Sequence, residues 1–155
     1  MNEIKAAMEK DNDTIAKLPV LAAVVALIGI ADAVYLTVHH YTGEKVPCSV
    51  VEGCEQVLTS SYAEIAGVPL ASFGALAYFT AFSLAILAAF GNRSMWKIFG
   101  VQVVLMAIFT TWLIYLQAFV IEAFCQFCLV SAAITFTLLT IFIVSNLLPK
   151  TRRNL

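Results

Sequence analysis

Cys125 and Cys128 form a CxxC motif at the start of a long apolar segment. On a helix, residues three apart lie on one face with Cβ atoms about 5–6 Å apart, which suits a strained, easily reduced disulfide. A helix rises about 1.5 Å per residue, so Cys128 should lie roughly 4.5 Å further into the apolar layer than Cys125. We therefore expect the pair to pass electrons from a water-soluble thiol donor to a lipid-soluble acceptor.

A second pair, Cys48 and Cys54, is separated by five residues, and Gly53 would let them close a small loop disulfide. Two other interpretations are open: two structural disulfides, or a four-cysteine zinc site. A structural bridge needs neither a sulfur inside an apolar helix nor the CxxC spacing, whose short ring is usually reactive. A zinc site would have half of its ligands beside lipid. Redox chemistry is therefore preferred, and no metal ligand is assigned.

The elements that must position these cysteines are apolar. Of the 155 residues, 61% are hydrophobic and 12% charged, and the mean hydropathy is +0.91, which indicates an integral membrane protein. Four windows are long enough to cross a hydrocarbon core of about 30 Å: residues 18–38, 70–90, 98–121 and 124–148. Because lipid offers no hydrogen bonds, each window should be a helix. We expect an all-α, four-transmembrane-helix bundle over residues 18–149, with tails at 1–17 and 150–155.

The basic residues predict the orientation of this bundle. Eight of the nine Lys and Arg residues fall on one side, which the positive-inside rule makes cytoplasmic. Both termini should then be cytoplasmic in the cell (inner) membrane, with all four cysteines on the outer face, where disulfides persist. The net charge of −1 gives no reason to expect a nucleic-acid partner.

Residues 39–69 form the outer loop, in which a helical pattern over residues 55–66 predicts an interfacial lid helix. Ser61 and Glu64 fit a capping box, so a structural role for Ser61 is at least as well supported as a chemical one. Ser60 has no such explanation. Its hydroxyl, facing the bundle from the lid, could donate a hydrogen bond to a quinone carbonyl.

Other candidates lie within the spans. Asp32 is the one acid in a predicted span, and two roles stay open: a proton relay, or a bond to the interface or a neighbouring helix. Trp112, Tyr115, Gln117 and Phe119, near the outer end of the third span, could line a ring-shaped ligand site. Aromatic residues in membrane helices more often face lipid or the core.

Taken together, these motifs resemble the vitamin K epoxide reductase family in its prokaryotic form. The likeness extends over nearly the whole chain from the first span to the fourth. It rests on Cys48, Cys54, residues 57–62, the turn at 67–70, Gly74 and residues 125–128. Four cysteines at these spacings, with a serine six residues after Cys54, make the resemblance specific.

The resemblance implies a quinone-dependent protein-dithiol oxidoreductase that supports disulfide bond formation. A secreted or periplasmic thioredoxin-like (DsbA-like) protein would deliver electrons to a Cys48–Cys54 disulfide. Cys54 would then attack Cys125 of a Cys125–Cys128 disulfide, freeing Cys128 beside a menaquinone- or ubiquinone-type quinone.

The expected quinone-binding residues are Ser60, Cys128, Leu58, Trp112 and Tyr115. Many prokaryotic members carry a fused thioredoxin-like domain, whereas this chain ends at Leu155, so its partner is expected to be a separate protein.

Two alternatives to this function are open. Animal members of the family have an Asn shortly before the glycine of span two, where this chain has Pro-Leu-Ala-Ser at residues 69–72. Quinone reduction coupled to disulfide formation is therefore preferred to epoxide reduction in quinone recycling. A non-enzymatic membrane scaffold held by two disulfides is the other alternative, and its activity would survive Cys128→Ser.

Overall fold

The computed structural model describes residues 2–50 and 53–153, and the side chains of residues 17–50 and 53–147. The elements within these ranges are α1 (Asn2–Thr42), α2 (Cys54–Leu58), β1 (Glu64–Ile65), β2 (Val68–Pro69), α3 (Leu70–Ala89), α4 (Arg93–Phe119) and α5 (Gln126–Arg153). The side chains of most of both predicted tails lie outside the described residues.

Four of the described helices are long and apolar enough to cross a membrane: Lys17–Thr42, Leu70–Ala89, Arg93–Phe119 and Gln126–Leu147. They match the four predicted windows to within a few residues at each end, and the predicted all-α membrane bundle is confirmed. Large apolar side chains are exposed along all four helices, as lipid-facing surfaces require.

The four long helices form a ring in which α1 and α4 each pack against both α3 and α5. Small residues allow the helices to approach closely, in particular Ala22 and Ala26 on α1 and Ala81 and Ala85 on α3, all of which are buried. Because successive spans run in opposite directions, the loop after α1 and the link after α4 lie at the same end of the bundle. We call this the cysteine end.

The opposite end of the bundle is filled by aromatic packing. Trp96 stacks on Phe99 with ring centroids 4.7 Å apart, and its indole N–H donates to Ser145 Oγ at 2.9 Å. The Phe142 ring lies so close to Gly100 that a Cβ there would clash with it. Aromatic rings therefore occupy the contacts between α4 and α5 at this end.

The predicted lid helix over residues 55–66 is wrong beyond Leu58, where α2 ends. The chain turns instead into a two-stranded hairpin in which Ile65 pairs with Val68. Ala66 and Gly67 both have positive φ, 53° and 80°, as in the two-residue turns that match strand twist. Val68 precedes a proline, which favours extended backbone. Ser61 therefore lies in a turn and does not cap a helix.

Candidate active site

Cys48 and Cys54 form a disulfide that joins the loop after α1 to the start of α2. Cys48 is half-buried at the surface of the loop, whereas Cys54 is 1% exposed and packs with Val57, Ala123 and Cys125. The two sulfurs of this pair therefore differ in accessibility. Cys48 can meet an incoming protein, and Cys54 lies beside the CxxC motif.

Gly53 brings Cys54 to this position. A Cβ at residue 53 would lie 2.8 Å from the Phe124 carbonyl oxygen and 2.9 Å from its nitrogen. These neighbours are backbone atoms, which cannot rotate away as the end of a flexible side chain could. Only glycine lets the start of α2 lie this close to the segment that leads into the CxxC motif.

The link between α4 and α5 is fixed by a buried amide. Gln117, on α4, accepts a hydrogen bond at its Oε1 from the Cys125 N–H at 3.0 Å, and its carbonyl accepts from the Ala123 N–H at 3.1 Å. Glu122 adopts a left-handed conformation with φ of 55°, which allows the short link to reverse direction. Cys125 is thereby held in place, with 0% exposure.

Cys54 and the CxxC motif are in direct contact. The Gln126 backbone N–H donates to Cys54 Sγ at 3.4 Å, and the Gln126 side-chain oxygen accepts from the Val50 N–H at 3.2 Å. Both cysteines of the CxxC motif are free thiols in this structure. The arrangement allows thiol–disulfide exchange between Cys54 and Cys125 without a large movement of either backbone.

Cys125 immediately precedes α5, and its carbonyl accepts from the Leu129 N–H at 3.0 Å. Its sulfur accepts hydrogen bonds from the Cys128 thiol and from the backbone N–H groups of Cys128 and Phe127. Together these donors outweigh the effect of burial and lower the pKa of the Cys125 thiol to about 7. Free amides at a helix start commonly stabilise a thiolate in this way.

Cys128 lies on the other side of the motif and lines a cavity of about 400 Å³ between the four long helices. None of the other three cysteines lines this cavity. The two sulfurs of the CxxC motif thus have different surroundings, in agreement with the helical spacing. Cys125 faces Cys54, and Cys128 faces the interior of the bundle.

The cavity is lined mostly by apolar side chains from α1, α3, α4 and α5, with the segment after Cys54 contributing residues at the cysteine end. Its size is in the range of small-molecule sites, about 300–1,000 Å³. Aromatic rings at Phe73 and Phe109 and aliphatic side chains at Leu58 and Leu113 form part of the wall. These surroundings suit an apolar ring compound with few polar atoms.

Of the residues predicted to bind a quinone, Leu58, Ser60 and Cys128 line the cavity. The Ser60 hydroxyl donates to the Val57 carbonyl oxygen at 2.7 Å, so its proton is engaged within the protein. The side chain of Thr59, the preceding residue, is exposed and does not line the cavity.

Trp112 and Tyr115, predicted to bind the quinone, are not among the residues that line this cavity. They are 48% and 55% exposed, and their rings pack against Phe109 and Phe119, respectively. Gln117, predicted with them, does line the cavity and is buried. The inward face of α4 is thus the one that carries Gln117, not the one that carries the tryptophan.

Sequence reasoning missed a polar cluster in the cavity wall. The hydroxyl of Tyr78, on α3, lies 2.8 Å from the Ser131 carbonyl oxygen, from Ser131 Oγ and from Thr135 Oγ1, all on α5. The available signal was the row of Cys128, Ser131 and Thr135, which share one face of a helix at spacings of three and four. Tyr78 also packs against Gly29 on α1, where a Cβ would clash with its ring.

Asp32, left open between two roles, lines the same cavity. Its Oδ2 is buried and has no hydrogen-bond partner among the described residues. The structure therefore places its carboxyl in the bundle interior, at the wall of the cavity that also contains Cys128.

A sequence model of the Vitamin K epoxide reductase family matches residues 20–143. The matched segment contains all four cysteines, Ser60, and every residue that lines the cavity. Members of this family are membrane oxidoreductases, and the paired cysteines beside an apolar cavity are the parts that such chemistry requires.

Proposed function

The chain belongs to the Vitamin K epoxide reductase family, and we propose that it passes electrons from a thioredoxin-like protein to a membrane quinone, thereby supporting disulfide bond formation. The observation that carries this proposal is the division of the four sulfurs. Cys48 is accessible at the loop surface, Cys54 contacts the CxxC motif, and Cys128 lines the apolar cavity. Each sulfur thus has the surroundings that one step of such a relay needs.

In the first step, a thiolate of the reduced partner attacks Cys48 of the Cys48–Cys54 disulfide. The S–S bond breaks, a mixed disulfide forms at Cys48, and Cys54 leaves as a thiolate. The second partner thiol then attacks the mixed disulfide, releasing oxidised partner and leaving Cys48 reduced. The difference in burial supports this direction, since the attacking protein can reach Cys48 but not Cys54.

In the second step, the Cys54 thiolate attacks Cys125 of a Cys125–Cys128 disulfide. The Gln126 N–H, 3.4 Å from Cys54 Sγ, can stabilise negative charge on that sulfur before it attacks. Cys48 then closes on Cys54, which restores the first disulfide and leaves Cys125 and Cys128 as thiols. This is the redox state of the structure, with Cys48–Cys54 bonded and the CxxC pair free.

In the third step, the CxxC dithiol reduces the quinone. Two S–H bonds break, one S–S bond forms, and two electrons with two protons convert the quinone to a quinol. Cys128 is the sulfur beside the quinone site. Cys125, whose pKa is lowered to about 7, supplies the thiolate that closes the disulfide with Cys128.

The cavity supports a quinone as the acceptor. Its wall is mainly apolar, and Leu58 and Ser60 line it near the cysteines. Animal family members carry a ligand-binding Asn in the stretch that corresponds to residues 69–72. In this chain, the residues of that stretch that line the cavity are Leu70 and Ala71, whose side chains cannot form hydrogen bonds. Quinone reduction is therefore preferred to epoxide reduction.

We further propose that the cysteine end faces the outer side of the cell membrane and that both termini are cytoplasmic. The distribution of Lys and Arg supports this orientation. So does the Cys48–Cys54 disulfide, since disulfides persist outside the cytoplasm and are rare within it.

A mixed-disulfide trap tests the order of the steps, with purified Cys54→Ala protein in lipid nanodiscs and reduced thioredoxin as the probe. The thioredoxin retains only its attacking cysteine, and a mild oxidant joins that cysteine to the free Cys48 thiol. The mixed disulfide persists because neither Cys54 nor a second thioredoxin thiol is present to resolve it. We expect thioredoxin to be bound at Cys48, and the matched Cys48→Ala protein to trap none. Thioredoxin crosslinked to Cys128 would contradict the assigned order.

A second assay separates quinone reduction from epoxide reduction. Protein reduced by thioredoxin is supplied with a ubiquinone analogue or with vitamin K epoxide, and consumption of each is followed. We expect the quinone to be consumed at least ten times faster. Equal or faster consumption of the epoxide would favour a role in quinone recycling.

A further inference from the structure

Asp32 has a buried carboxyl oxygen that is free to bind a ligand in the cavity. Its Oδ2 is buried, lies without a hydrogen-bond partner among the described residues, and belongs to a side chain that lines the cavity. Buried polar atoms in native proteins nearly always have a partner, and acidic residues within membrane spans are costly and commonly functional. A molecule bound in the cavity can satisfy this oxygen.

Three other polar side chains in the cavity wall already have hydrogen-bond partners. Ser60 donates to a backbone carbonyl, Gln117 accepts from a backbone amide, and Tyr78 is within hydrogen-bond distance of three oxygens of α5. Among the described residues, no Lys, Arg or His lines the cavity, so none of their cations pairs with Asp32 in that wall. Asp32 thus differs from these neighbours in having hydrogen-bonding capacity left over.

Asp32 and Cys128 line the cavity at different depths. Tyr35 packs against Phe127 with ring centroids 5.2 Å apart, which places Tyr35 at about the level of the CxxC motif. Asp32 lies three residues before Tyr35 on α1, and therefore roughly 4.5 Å further from the cysteine end. A ring compound in the cavity can have one oxygen near Cys128 and the other near Asp32.

The chemistry of the proposed function requires a proton at each quinone oxygen. Resting on that function, we propose that the Asp32 carboxyl hydrogen-bonds the quinone oxygen farther from Cys128 and donates the proton that converts this oxygen to a hydroxyl. A carboxylic acid in an apolar, cation-free wall is suited to this, because its ionised form would lack a partner there.

The step balances with the dithiol as the sole reductant. The dithiol loses two electrons and two protons as its S–S bond forms, and the quinone gains two electrons and two O–H bonds. Asp32 gives up one proton and regains one from water after the quinol leaves, replacing a thiol proton that the dithiol has released to water. No other oxidant or reductant is needed.

The test uses Asp32→Asn, which keeps the size of the side chain but removes its acidic proton. Protein with a reduced CxxC pair in nanodiscs is mixed with a short-chain ubiquinone analogue, and quinol formation is followed in a single turnover. We expect quinol formation to slow about 100-fold, the usual range for loss of a positioned acid. The rate of thioredoxin oxidation by the Cys48–Cys54 disulfide should be unchanged. The Kd for the quinone, measured in a Cys128→Ala background, should change by less than about threefold.

Matched variants keep the test decisive. Thr140→Val removes a polar group from an exposed, membrane-spanning position that does not line the cavity, and should retain the wild-type rate. Asp32→Glu should recover at least a tenth of that rate. Should Asp32→Asn fail to fold, Asp32→Glu and Asp32→Gln form the comparison, since they differ only in the acidic group.

The outcomes distinguish the two proposals. A wild-type protein that forms no quinol would overturn the proposed function itself. Quinol formation at the wild-type rate by the Asn variant, with the wild type active, would overturn only the role of Asp32. A weaker Kd with an unchanged rate at saturating quinone would show a binding contact and would equally overturn proton donation.

Discussion

The Cα of Gly53 lies so close to the Phe124 backbone that a Cβ would come within 2.8 Å of the Phe124 carbonyl oxygen. This contact joins the start of α2 to the segment that leads into α5. Each of these two segments carries one of the sulfurs that exchange in the proposed relay, Cys54 and Cys125. The two pairs of cysteines can therefore lie this close together because Gly53 has no Cβ.

Gly53→Ala should slow the reaction between Cys54 and Cys125 at least tenfold, because the added methyl group forces two backbone segments apart. The measurement is the rate at which Cys54 and Cys125 crosslink under mild oxidation in a Cys48→Ala, Cys128→Ala background. Gly43→Ala is the control, since residue 43 has positive φ but no atom within 4 Å of its added Cβ. Equal rates in both variants would refute the positioning role of Gly53.

The lowered pKa of Cys125, about 7, predicts a pH dependence. Its thiol is mostly protonated below this value and mostly thiolate above it, so quinol formation should rise as pH increases through about 7. The ultraviolet absorbance of the thiolate, recorded with the CxxC pair reduced, measures the same transition. Cys128→Ala removes a donor to Cys125 and should raise the pKa towards the usual value of about 8.5, whereas Cys128→Ser keeps a donor. A midpoint above pH 8 in the unmodified protein would be the contrary result.

Two neighbouring alanines on α5 provide a test of the cavity. Ala132 lines it, whereas Ala133 is exposed on the outer surface. Ala132→Phe should raise the KM for the quinone analogue at least tenfold, because the ring occupies part of the cavity of about 400 Å³. Ala133→Phe should change it less than twofold. Equal KM values for the two variants would mean that the quinone binds elsewhere.

Ser60→Ala should raise the KM for the quinone by about three- to tenfold, the effect of one hydrogen bond of about 0.5–1.5 kcal/mol. The reason is that, in the proposed site, the bound quinone accepts the Ser60 proton that the Val57 carbonyl accepts in its absence. The control is Thr59→Ala. Thr59 also donates its hydroxyl to a backbone carbonyl, but its side chain is exposed and outside the cavity. If both variants raise KM equally, the hydroxyl of Ser60 has only a structural role in the turn.

Hydropathy predicted the four spans because crossing a membrane depends on composition and length alone. It could not tell which face of α4 looks inward, since a helix that is apolar on all sides has no amphipathic pattern to report this. Trp112 and Tyr115 were for that reason grouped with Gln117, although they do not line the cavity. Gln117 was the better guide, because a polar side chain in a span seeks a partner inside the bundle.

The predicted lid helix over residues 55–66 was wrong for a different reason. A window over residues 55–66 has helical periodicity, but cross-strand pairing of Ile65 with Val68 and the left-handed turn between them override it. The different surroundings of Cys125 and Cys128 were easier to predict, because helical spacing places Cys128 roughly 4.5 Å further into the apolar layer. The contact of Gly53 with Phe124 joins residues 71 positions apart, and no local pattern reveals it.

The most direct test of the electron path is quinol formation by Cys128→Ala protein in nanodiscs, supplied with reduced thioredoxin and a ubiquinone analogue. We predict that the wild type forms one quinol for each thioredoxin oxidised, whereas the variant forms none yet still exchanges thiols with thioredoxin at Cys48. Undiminished quinol formation by the folded variant would contradict the assignment of Cys128 as the sulfur that meets the quinone.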